Sequence, residues 1–215
     1  MSTDSMILLD AAKASSWPML LDALRTVCVV LTAIVACYGV VKWRREQVGK
    51  KRADLAEETL AMFYEARDVI MAIRSPLGHS EEGQTRKPEP HETPEQKDAR
   101  DRAFVLIERY QKRQELFQRI RAARYRFMAL FGNDATKPFE ELSKVISDMH
   151  MAAYSLRDLW ASRPSRIADA QRLDQDVRKQ EAIFYWSSED PIGPRVDSIV
   201  ADVEKTCRAA IMKGA

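Results

Sequence analysis

The chain has 215 residues, 31 % of them charged and only seven of them glycine, a composition that suits long solvated helices and argues against a sheet protein. Its 34 Lys and Arg nearly balance 32 Asp and Glu, and the formal charge of +2 creates no global field that would draw nucleic acid. The three cysteines make no disulfide framework.

In chain order, the first element is apolar. Thr26 to Val41 holds sixteen residues without a charge. A hydrocarbon core needs about 20 apolar residues in a helix. Leu20, Leu21, Ala23 and Leu24 extend the run, with Arg25 able to snorkel to the headgroups. Trp17 and Trp43 bracket it at roughly 39 Å along a helix, close to the spacing of two interfacial aromatic belts. The reading is a single transmembrane helix over 19–42, preceded by a short extracytoplasmic segment, 1–18. Cys28 and Cys37, nine residues apart, fall on opposite faces of this helix.

Lys42, Arg44, Arg45, Lys50, Lys51 and Arg52 follow directly, against one acid, Glu46. Basic flanks stay on the cytoplasmic side, which places the N-terminus outside and residues 43–215 inside the cell. The same cluster attracts anionic lipid. A rival reading takes Ile34-Val35-Ala36-Cys37 as a lipobox with Cys37 lipidated, which would carry a dense basic run across the membrane instead.

The cytoplasmic part reads as an all-α bundle of about five helices, the first two long and antiparallel. Leu55, Thr59, Met62, Ala66, Val69 and Ile73 step by four and three, a seam for lengthwise packing that Phe63 and Ile70 widen. The helix stops at Ser75-Pro76. Residues 76–92 hold three prolines and almost no apolar side chain, which predicts a mobile loop. Thr93-Pro94-Glu95-Gln96 is a capping box that opens a second helix, ending at Gly132-Asn133. Its stripe is Ala103, Leu106/Ile107, Tyr110, Phe117, Ile120, Phe127 and Phe131. A third helix runs from Lys137 to Arg163 on a face from Leu142 to Trp160, and Pro164 ends it. A fourth covers Ser165 to Ser187, and Pro194 opens a fifth with Val196, Val203 and Cys207 on its stripe.

Residues with chemistry are sparse. Glu65 and Asp68 share a helix face, but no Glu-x-x-His accompanies them, and no His has ligand spacing to another His or Cys. Cys207 lies at core spacing, and there is no serine elbow or phosphate loop. No metal or cofactor is implied. The second-helix arginines stand out, because Arg113 and Arg124 fall near the apolar stripe. Either they pair with acids of the first helix, Glu65 or Asp68, or together with Arg119, Arg121 and Arg126 they form a site for phosphate, nucleotide or nucleic acid with Tyr125 and Phe127 for stacking.

Lys42-Trp43-Arg44-Arg45-Glu46, Phe63-Tyr64-Glu65-Ala66-Arg67-Asp68 and the turn from Trp186 to Pro194 resemble segments of uncharacterised single-span bacterial membrane proteins. That resemblance covers most of the chain and implies a bacterial inner membrane. The function expected is a non-catalytic interaction or scaffold protein that acts through a protein partner or self-association. The runners-up are an anion, nucleotide or nucleic-acid binding module that uses the second-helix arginines, and an enzyme with a site between helices.

Overall fold

The computed structural model describes residues 4–79, 81–162 and 167–214, with side chains from residue 19 onward except at 167, 168, 213 and 214. Among these residues it is all-helical, with no strand. The helices are α1 (Asp4–Ile73), α2 (Pro94–Phe131), α3 (Lys137–Ala161), α4 (Ile167–Phe184) and α5 (Gly193–Gly214). A single 3-10 turn, Asp134–Thr136, sits between α2 and α3. The chain divides into two compact units, Met1–Lys50 and Lys51–Ala215.

Among its described residues the first unit is helix alone. From Met19 onward α1 is long and apolar enough to cross a membrane, and none of that apolar stretch is buried. Leu20, Val29, Ile34 and Val40 each expose more than half of their surface. Such a surface is stable only against lipid or another apolar body. Residues 1–3, Pro164 and the side chain of Trp17 lie outside the described residues.

The second unit has its own core. The α1 seam is buried at Leu55, Thr59, Met62, Ala66 and Ile73, with Phe63 and Ile70 beside them. Only Val69 stays half-buried. Each apolar side chain of that size contributes ~1.5–3 kcal/mol when fully buried. Phe63 meets Phe139 edge-on at 5.0 Å, and Phe127 lies 5.3 Å from Phe139, so one aromatic cluster joins α1, α2 and α3.

Both ends of α2 follow from local chemistry. Thr93 Oγ1 accepts from the Gln96 amide, the Gln96 side chain accepts from the Thr93 amide, and Pro94 takes the first turn. At the far end Gly132 adopts φ +89 and its N–H donates to Met128 O. The α3 face from Leu142 to Leu156 is buried, as is the α5 stripe from Val196 to Cys207. α4 is shallower, with Leu173 and Val177 half-buried and Phe184 buried.

The described residues of the segment 76–92, expected to be a mobile loop, make side-chain hydrogen bonds to α2. These are polar anchors, which a count of apolar residues does not see. Glu108, 7 % exposed, accepts from the Gly83 amide at 2.7 Å and from Thr85 Oγ1 at 3.0 Å. Arg86 donates to Asp101 at 2.9 Å and to Glu92 at 2.8 Å. Arg100 donates to Glu89 and Glu92. Gly83 takes φ +85, where a Cβ would lie 2.0 Å from Asp101 O. Only glycine lets the strand of chain approach α2 this closely.

Candidate functional site

Several clefts border α2 in the second unit. One of about 760 Å³ lies between the N-terminal half of α2 and the 76–92 strap, with Tyr185 on its edge. A second of about 710 Å³ opens between α1 and α2. The two share Ser75, His79, Glu82 and Arg109. Arg109 is the wall between them. Its guanidinium donates to Glu82 at 2.6 and 3.0 Å and to the carbonyls of Ile73, Ser75 and Leu77. It therefore closes the C-terminus of α1, whose last carbonyls have no helical partner.

Several charges around the strap are paired. The Arg109 hydrogen bond holds the Glu82 carboxyl below its ordinary range. Arg86, then Arg100, hold Glu92 at about 2. Lys112, followed by the Gly83 and Thr85 donors, keeps Glu108 ionised against the effect of burial. Groups held this firmly in one state make a brace rather than an acid–base pair.

A second brace lies at the end of α1. Arg74 is fully buried and donates to Asp190 at 2.6 and 2.9 Å, and to the carbonyls of Ala182, Ile183 and Tyr185. Burial acts to raise the Asp190 pKa, but the Arg74 bond and the amides of Ile192 and Gly193 outweigh it and the net shift is downward. Arg74 thus caps the negative end of α4 while its partner Asp190 stabilises the start of α5.

The candidate residues read from the sequence separate. Lys42, Arg44, Arg45, Lys50, Lys51 and Arg52 are all exposed, as is Trp43 at 61 %. Glu65, Asp68 and Arg113 line the α1/α2 cleft together, all three exposed. Among the described residues no ion pair joins Arg113 to either acid; Asp68 pairs with its neighbour Arg67 at 3.2 Å. Arg124 turns instead to Glu140 of α3. It lies three turns beyond Arg113, where α3 packs back on α2. The pairing across α1 and α2 is made by Arg126 with Glu58, 3.6 Å apart.

Arg74, Arg109 and Glu108 were not anticipated. A signal existed for two of them. Arg74 sits four residues after Ile70, and Arg109 three after Leu106, so both continue an apolar stripe with a cation.

The third cleft, about 400 Å³, lies between α2 and α3. Phe117, Ile120, Phe139 and Leu142 floor it, and Arg121, Arg124, Tyr125 and Lys144 border it. Phe127, expected to offer stacking, is 1 % exposed and belongs to the core. Burial pushes the Cys207 thiol up to about 11, which leaves it un-ionised and unreactive at neutral pH. Among the described residues no group of three or more His, Cys, Asp or Glu is placed to hold a metal. No protein-family model, curated protein or solved structure matches this chain.

Proposed function

We propose that this chain is a single-span membrane protein that holds a helical interaction or scaffold domain, without catalysis, at the cytoplasmic face of a bacterial inner membrane. The observation that carries the reading is the wholly exposed apolar stretch of α1, set in a unit separate from a domain with its own core. The six exposed cations from Lys42 to Arg52 favour the cytoplasmic orientation and anionic lipid as the first partner. Arg109 against Ile73 and Arg126 against Glu58 support an antiparallel pairing of the α1 end with α2. Helix faces presented this way suit a protein partner or a second copy of the chain.

A reporter fused after Ala215 tests the orientation: it is expected to be active inside the cell. Crosslinking in native membranes then tests the class, with a stoichiometric protein band as the expected result. Protease access to the C-terminus in intact spheroplasts overturns the orientation. Recovery of the chain only as a monomer overturns the interaction reading.

A further inference from the structure

We propose that the groove between α2 and α3 binds a small aromatic anion, a planar ring carrying a phosphate, with Arg121 and Lys144 meeting the anion and Tyr125 stacking on the ring. The cavity, about 400 Å³, has the size and concavity of a small-ligand site. Its floor is apolar and already packed, with Phe117 3 %, Phe139 5 % and Leu142 2 % exposed. A ligand body resting there loses water without the floor having to reorganise.

Its rim is cationic. Arg121, Arg124 and Lys144 line it against one carboxylate, Glu140. Glu140 engages Arg124 and Glu141 engages Lys144 at 2.7 Å, so these two cations are held in place but partly neutralised. Arg121 is exposed, with no carboxylate in ion-pair range among the described residues. It is the cation with the most charge to offer, and its planar fork matches a phosphate. Tyr125, four residues on and so on the same helical face, is 64 % exposed. A tyrosine left so open beside an unpaired arginine offers a ring face that any planar base can use. The small volume of this half-open groove suits a mononucleotide better than a polymer.

The test is calorimetric titration of the full chain in nanodiscs of zwitterionic lipid, with adenosine 5′-monophosphate as probe. Adenosine and inorganic phosphate each supply one half of the chemistry and are expected to bind at least about tenfold more weakly. Arg121→Ala and Tyr125→Ala are expected to weaken the nucleotide by about tenfold each while leaving the melting temperature unchanged, since both side chains are exposed. Arg113→Ala, in the separate α1/α2 cleft, should have no effect. The proposal is overturned by absence of nucleotide binding at millimolar concentration, by equal binding of phosphate alone, or by an equal loss in Arg113→Ala, which would mean diffuse charge attraction. Tight binding of a single-stranded oligonucleotide that the mononucleotide does not displace also overturns it.

Discussion

The fully buried Arg74 shows how much one side chain organises here. Its five hydrogen bonds tie the end of α1 to the end of α4 and the start of α5. Arg74→Met removes the cation and leaves Asp190 and three carbonyls short of donors, so denaturant unfolding should show a loss of about 3–5 kcal/mol. Arg74→Lys recovers little, because a point charge cannot reach both carboxylate oxygens and the helix end together. Thr59 is the opposite case. It is 0 % exposed and its hydroxyl has no hydrogen-bond partner among the described residues, so Thr59→Val keeps the shape and should raise stability by roughly 1 kcal/mol in the same assay. His150 is a third. Burial lowers its pKa below 6.5, and its Nε2 is enclosed without a hydrogen bond among the described residues while the ring lies edge-on to Tyr110. The unfolded chain therefore takes the proton first. Its contribution to stability is complete above pH 6.5 and is lost as pH falls below that value. His150→Phe should flatten this decline in melts run across that range.

At the scale of elements, the strap over residues 76–92 has few apolar side chains but many polar bonds to α2. Disorder follows when a segment cannot offset its ordering entropy by burial. Here several charge-assisted bonds take that role, and Glu108, Asp101 and Glu92 are their acceptors. The strap is expected to resist trypsin at Arg86 as well as the helices do. Gly83→Ala forces a Cβ into Asp101 O at a backbone angle that alanine avoids, so it should free the strap and speed cleavage at Arg86 several-fold. Cleavage of both forms at one rate would show that the anchors do not hold the segment. The helices themselves are more legible. The seam from Leu55 to Ile73, the Thr93 capping box and the stop at Gly132 follow from spacing and local geometry, and all are present.

At the scale of the molecule, the core among the described residues begins at Leu55 and lies in the second unit. Among the described side chains, those of residues 19–50 are exposed apolar surface or polar and include no core residue. A fragment from Lys51 to Ala215 is therefore expected to be soluble without detergent and to melt cooperatively by far-UV circular dichroism. The full chain should require detergent or lipid. Aggregation of the fragment would show that the first unit contributes to the fold of the second.

The sequence by itself determined the helical class, the apolar stretch of α1 and the faces that α1, α2, α3 and α5 bury. Each depends on residues within a few turns of one another, where period and capping operate. Only the tertiary structure decided the polar braces. Arg74 meets Asp190 across 116 positions, Arg109 meets Glu82 across 27, and Arg124 finds Glu140 rather than Glu65 or Asp68. An ion pair needs its partner within 4 Å and carries no periodic trace in the chain. Which of many arginines and carboxylates meet is fixed only when the helices have packed.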